Sequence, residues 1–303
     1  TQCGPRGGGH AESSVMCVAA PEYGEHLFAT VRRMLQETRL DVHGLHVVLK
    51  PNLVEFSPNA PINTHPKVVH AVLEAVRAGG AASVRIAEGP GHRRGTLDLA
   101  EAAGYFDEIP RFEELFTDLN LDEVVETSIR SPRSKLDSLY LPKTVRQCDL
   151  LISLPKLKTH HWAGATLSLK NLFGLVPGGV YGWPKNILHW AGIHECIADL
   201  YTVVPRGFAI VDGIVGMEGN GPIQGTPKQA GVLVAGSDMI AVDATCCRLM
   251  DLDPEQISYL RFLGNQGWVS EDKIRQIGEP WTRLATSFAV LPAFQPLKRK
   301  RKG

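Results

Sequence analysis

Lysine, histidine and asparagine recur in short polar words that directly follow apolar runs, and these residue types bind anions and move protons. The densest word is PKLKTHH at 155–161, in which Lys156, Lys158 and His160 alternate. Alternate residues of an extended strand share one face, so two ammonium groups and an imidazole meet there. They repel one another unless an anion or a carboxylate sits among them, which points to a site for a negatively charged molecule. Lys50 and Asn52 in LKPN, and Lys170 and Asn171 in SLKN, add further cations and amides. Pro51 interrupts regular pairing and aims its neighbours at the strand's rim. Glu88, heading EGPG, joins these as a binding group, and Lys156 and Lys158 are expected to serve the pocket rather than the core.

Imidazole titrates near neutrality and suits proton transfer. His160 and His189 are the candidates for that step, with Asp212 in VDG and Glu218 in the glycine-rich MEGNGP segment as further catalytic carboxylates. Ammonium neighbours would keep His160 neutral and ready to accept a proton, whereas contact with Glu218 or Asp212 would raise its pKa. His65 lies in THP, a helix start whose free backbone N–H groups suit an anion; capping alone accounts for Thr64 and Pro66, and His65 is either a spectator or a binding group. His194 is also counted among the binding groups. It stands five residues from His189, about 140° around a helix axis, so a metal held by these two alone is not expected and a ligand such as His160 or Asp212 would have to join. Gly174 permits a close backbone approach. Asp243, inside the apolar AVDATCC, needs a partner if ionised: a pocket lysine, or a role in catalysis.

Such groups are scattered along the chain and need a frame that gathers them. Val15–Ala20 then Glu25–Leu40, His46–Leu49 then Pro66–Ala78, and Val84–Ala87 then Thr96–Ala103 alternate a strand pattern with a helical one. Asp149–Leu154 reads as a buried parallel strand running into PKLKTHH. Asn186–Val204 reads as one helix, Phe208–Val211 and Gly231–Ala235 as strands around a polar loop that begins at Met217, and Met239–Met250 and Pro254–Leu263 as helices capped by Asp238 and Asp253. The pattern predicts an α/β fold: a mostly parallel sheet with helices on both faces and an inserted or edge subregion over about 106–142, with strands at Glu123–Ile129 and Leu139–Leu141. One domain over 14–285 is expected, between a flexible N-terminus at 1–13 and a basic C-terminal tail at 286–303. Ligands of open parallel sheets bind beyond the carboxyl ends of strands, where Lys50, Glu88, Lys156 and Asp212 all fall, so a single pocket is expected.

At 303 residues, 44% hydrophobic and 21% charged, the chain is of ordinary globular composition, which excludes disorder, collagen and coiled coil as descriptions of the whole. Lys plus Arg equals Asp plus Glu at 32 each, so no global field draws it to nucleic acid or to acidic membranes. No run approaches the roughly 20 apolar residues of a membrane span, and residues 1–13 lack the apolar core of a signal peptide. A cytoplasmic protein is expected, with a small anionic molecule as partner, no nucleic acid, no membrane, and a homo-oligomer left open. The cysteines at 3, 17, 148, 196, 246 and 247 form no CxxC pair and read as buried free thiols, not local iron–sulfur or zinc ligands. The common NAD and ATP motifs are absent, as are GxSxG and HExxH; the cofactor is unknown and a metal stays open.

Taken together, VVLKPNLV at 47–54, THPKVV at 64–69, AEGPG at 87–91, CDLLISLPKLKTH at 148–160, TLSLKNLFGLVPG at 166–178, HECIADL at 194–200, AIVDGIVGMEGNGPIQGTP at 209–227 and DMIAVDA at 238–244 resemble the family called domain of unknown function 362, over roughly residues 15 to 270. The resemblance implies no settled reaction. Many members resemble this domain joined to a ferredoxin-like module with iron–sulfur cysteines, which is missing here, and cluster ligation is not carried onto Cys196. Three functions are weighed: an isomerase, epimerase or lyase that moves a proton next to a carboxylate or carbonyl of a carboxylate- or phosphate-bearing substrate; a metal-assisted oxidoreductase or hydrolase; and a noncatalytic anion-binding or redox-partner subunit.

Overall fold

Short apolar runs, buried along nearly their whole length in the centre of the sheet, form the strands of this chain, and the computed structural model describes residues 13–91, 95–264 and 269–300. The strands are β1 Ser13–Ala19, β2 His46–Pro51, β3 Ser83–Glu88, β4 Phe116–Asp118, β5 Val124–Ser128 and β6 Ser138–Pro142. They continue with β7 Leu150–Leu154, β8 Lys156–His160, β9 Gly164–Thr166, β10 Gly207–Glu218, β11 Thr226–Gly236 and β12 Ile274–Gly278. The main sheet runs β12-β1-β11-β10-β7-β2-β3-β4, with β8 beside β10 and β9 folded back on β8. Strands β10, β7, β2, β3 and β4 are parallel neighbours, whereas β11 is antiparallel to both β1 and β10. The architecture is α/β, with a large sheet that is mostly parallel and partly antiparallel.

Helices cover both faces, and the strands show why. Val47, Leu49, Leu150, Ile152, Phe208 and Ile210 pack on one side with the helices α1 Leu27–Glu37 and α2 Pro66–Ala78. Their sequence neighbours Val48, Leu151, Ala209 and Val211 pack on the other, against the helices Ile193–Val203 and Met239–Leu249. Alternate residues thus feed two cores.

Several expected boundaries move. The helix expected over 186–204 is two, Asn186–Trp190 and Ile193–Val203, because Gly192 between them takes φ 110°. Met217 and Glu218 belong to β10 instead of the polar loop, and Met217 is fully buried. The stretch expected over Pro254–Leu263 begins as a 3-10 turn, Pro254–Gln256, capped by the Asp253 side chain, before the helix Ser258–Leu263. The 106–142 region supplies the edge strand β4 and a separate hairpin, β5–β6. Residues 286–300 pack instead of trailing as a tail: Phe288 is fully buried and Val290 bridges to Gly219. An apolar side chain and backbone partners hold the segment despite its basic end. Residues 1–12, Cys3 among them, and 301–303 lie outside the described residues.

Candidate active site

Strand β7 ends at Leu154, Pro155 breaks it, and β8 resumes alongside β10, where Lys156 pairs with Asp212 in register. Lys156, Lys158 and His160 are all buried, as are Leu157 and Thr159 between them. The lysines gathered near the strand ends then divide by what holds them.

Lys50, at the end of β2, is fully buried and donates to Glu88 Oε2 (2.6 Å), Pro51 O (3.0 Å) and Asn171 Oδ1 (3.1 Å). All three ammonium protons are placed. Glu88 accepts in turn from the Leu53 and Gly89 backbone N–H groups, and Asn171 donates to Lys50 O and Ser153 Oγ. Burial pulls the Lys50 pKa down while Glu88 pushes it back up. A Cβ at Gly174 would collide with Glu88 Oε1 and Lys50 Nζ, so the expected close approach is real. Lys50, Glu88 and Asn171 form a satisfied strut.

Lys156 is likewise committed: Nζ lies 2.6 Å from Asp212 Oδ2 and 3.0 Å from the Tyr23 hydroxyl. Tyr23 donates to Asp212 Oδ1, and the His65 N–H reaches Asp212 Oδ2. The imidazole of His65 stacks on Tyr23 at 3.8 Å and caps α2 by accepting from Lys67 N. Burial, the largest cause, lowers its pKa to about 4. Tyr23, His65 and Lys156 line a pocket of about 310 Å³ beneath residues 56–61.

Three further lysines have no carboxylate on their Nζ among the described residues. Lys158, fully buried, donates to the Ile62 and Pro222 carbonyls at 2.7 and 3.2 Å, and burial first, then Lys156 and Lys170, holds its pKa well below the usual lysine range. Lys185, 2% exposed with its backbone in the left-handed region at φ 66°, donates to Gly89 O and Phe173 O; burial lowers it to about 7. Lys170 is half-buried, with Nζ 4.1 Å from the Phe173 ring centroid. It makes no hydrogen bond among the described residues, and burial, then Lys50, brings it to about 7. Two buried polar atoms are orphaned among the described residues: Asn52 Oδ1, just beyond the end of β2, and Thr166 Oγ1 on the β9 residue opposite Lys158. Orphans of this kind call for a polar ligand or water.

A run of ring contacts joins Lys170 to the histidines. Phe173 lies 5.7 Å from His189, His189 lies 5.1 Å from Trp162, Trp162 lies 4.8 Å from His161, and His161 lies 5.0 Å from His160. Hydrogen bonds assign the tautomers. His160 Nδ1 accepts from Trp162 N (3.0 Å) and Ala163 N (3.1 Å), which leaves the proton on Nε2. Burial and then Lys170 lower its pKa well below normal, so it is neutral as expected. Its acceptor lone pair is already used, however, so in the neutral form Nε2–H can donate but the ring has no free lone pair to act as a base. His189 Nδ1 meets the Lys185 carbonyl at 3.1 Å and must donate, which frees the Nε2 lone pair; burial lowers its pKa too. His161 Nδ1 meets Gly221 O at 2.7 Å in the same sense.

Other expected groups stand elsewhere. Glu218 accepts from Ala289 N and lies 3.4 Å from Lys228, held by the hairpin partner and the C-terminal segment instead of the lysines. His194 stacks on Tyr259 at 6.2 Å, with a buried Nδ1 that has no partner among the described residues. Asp243 meets no lysine: it accepts from Ser168 N, Ser168 Oγ and Leu169 N, capping the short helix Ser168–Asn171 from another element. It thereby positions Lys170 and Asn171. No group of three potential metal ligands converges among the described residues. The described cysteines are buried and free. Sequence reasoning missed Tyr23, His161 and Lys185. Strand alternation puts His161 on the far face, but β8 ends at His160 and a turn carries His161 back.

Comparisons with known proteins bear on this arrangement. A family model described as "Domain of unknown function (DUF362)" matches residues 47–248. A thylakoid-associated protein of Synechocystis is 34% identical over 221 residues, which cover 71% of this chain and 65% of that protein. The chain thus spans just under two thirds of that relative's length. Two solved structures align in part. The lactate racemase apoprotein of Thermoanaerobacterium thermosaccharolyticum has a TM-score of 0.47 at 15% identity, over 80% of this chain and 58% of that one. A Thermotoga maritima crystal structure has 0.43 at 13%, over 77% and 60%.

Proposed function

The chain belongs to the family described as a domain of unknown function, DUF362, and on that premise we propose that it is an enzyme that moves a proton within a small carboxylate- or phosphate-bearing substrate, as an isomerase, epimerase or lyase. One observation carries the reading: Lys158, Lys170 and Lys185 lie near one another with no carboxylate on their Nζ atoms, beside a histidine whose lone pair is free. An incoming anion supplies the missing charge and draws protons onto amines that sit near 7, Lys170 and Lys185. The orphaned Thr166 Oγ1, on the residue paired with Lys158, supports a polar guest beside that lysine. His189 Nε2 takes the proton from the carbon next to the carbonyl or carboxylate. His160 Nε2–H donates to the oxygen on which charge builds, and its neutral state keeps it a matched donor. Lys50, Glu88, Lys156 and Asp212 hold the frame.

The test is solvent exchange. Protein incubated in D2O with a panel of 2-hydroxy and 2-oxo acids should catalyse loss of the proton next to the carboxylate or carbonyl, followed by NMR. His189→Gln should cut the rate by about 100-fold or more while the acid still binds, the usual scale for a lost general base. Binding without exchange for every acid would instead identify a noncatalytic anion-binding subunit.

A further inference from the structure

We propose that Lys170 is a carbonyl-reactive amine, and that the substrate class is an anion bearing an aldehyde or ketone, a 2-oxo acid being the simplest. This rests on the proton-transfer reading above and adds to it a covalent step. The argument is one of elimination by hydrogen bonds. Lys50 and Lys156 are locked in buried ion pairs, and Lys158 and Lys185 are buried and tied to pairs of carbonyls. Lys170 alone in the cluster combines partial exposure with an Nζ that meets no hydrogen-bond acceptor among the described residues.

Its placement is fixed from both sides. Asp243 holds the N–H groups of Ser168 and Leu169, and Asn171 is bound to Lys50 and Ser153, so the backbone carrying Lys170 has little freedom. The face of Phe173 shelters one side of the amine, and the same ring touches His189. Desolvation and a neighbouring cation, here Lys50, are the conditions that make a lysine nucleophilic near neutral pH.

The step balances without a redox partner. Nζ attacks the carbonyl carbon, a C–N bond forms, and the C=O π pair moves to oxygen, which His160 Nε2–H faces as a donor. His189 Nε2 takes one proton from the attacking nitrogen and returns it to the oxygen, giving a neutral carbinolamine. A second proton, from solvent water and relayed through His189, lets the C–O bond break so that water departs while the nitrogen lone pair forms the C=N bond, leaving an imine protonated on nitrogen. Protonated, that imine withdraws electrons from the neighbouring carbon and makes its C–H acidic, which suits the proton transfer proposed for this site.

Glyoxylate with sodium cyanoborohydride tests this on the full chain, read by intact mass and peptide mapping. A single reduced adduct is expected at Lys170, at least about tenfold above any other lysine at pH 7, where an ordinary lysine is almost wholly protonated. Labelling should rise between pH 6 and 8 and vanish in both Lys170→Arg and Lys170→Met, each checked for cooperative unfolding. Adducts spread over surface lysines, or retained in a folded Lys170→Arg chain, overturn the proposal. Calorimetric binding of glyoxylate without reductant separates the two layers: binding without an adduct removes the imine and leaves the acid–base reading, and no binding removes both.

Discussion

A lysine buried against a carboxylate and one half-buried over a ring answer differently to truncation. Lys156→Ala would strand the fully buried Asp212 carboxylate, and removing one partner of such a pair costs about 3–5 kcal/mol. Lys158→Met would leave two carbonyls without their donor, a loss of about 1–3 kcal/mol. Lys170→Met removes no hydrogen bond and should stay within about 1 kcal/mol of the parent. Urea unfolding of the three variants should give that order; a Lys170→Met chain as unstable as Lys156→Ala would show Lys170 to be a strut. The buried partners of Lys156 and Lys158 thus predict a cost to folding for both, against the expectation that they serve the pocket rather than the core. The alternation of a strand reveals which side chains share a face and says nothing about which of them another element will grip.

At the scale of elements, the four-residue helix Ser168–Asn171 depends on a carboxylate from the helix Met239–Leu249. Burial raises the Asp243 pKa from 3.8 to about 7, and the hydrogen bonds from Ser168 and Leu169 only partly offset this. Below 3.8 the folded and unfolded chains both hold the proton. Between 3.8 and about 7 the unfolded chain has released it and the folded chain has not, so each step upward in pH removes stability; above about 7 the full cost is present. Asp243→Asn should flatten the stability profile between pH 4 and 7 in thermal scans, and an unchanged slope would assign that dependence to other groups. The strands and the two capping aspartates, Asp238 and Asp253, are legible in the sequence because they follow from local pattern. The break at Gly192, the burial of Phe288 and the partner of Asp243 are not, since each depends on a contact distant in sequence.

Across the whole molecule, the carboxyl ends of β2, β3 and β7, together with the middle of β10, bring Lys50, Glu88, Lys156 and Asp212 together, as the strand-end rule anticipates. What the rule does not anticipate is that these four neutralise one another in two pairs, Lys50 with Glu88 and Lys156 with Asp212, so that the proposed chemistry falls to Lys170, Lys185, His160 and His189. Lys185 comes from a loop, Lys170 and His189 from short helices and His160 from the last residue of β8, and the sequence shows Lys185 only as one residue of a Trp-Pro loop. The central claim, that this fold holds uncompensated amines for an anion, is tested most directly by NMR of lysine labelled with 13C at Cε, titrated with and without acetate. Two side chains should titrate near pH 7, be assigned by their loss in Lys170→Arg and Lys185→Arg, and shift upward when acetate is added. Every lysine titrating near the ordinary value of about 10.4, with acetate moving none, would contradict it.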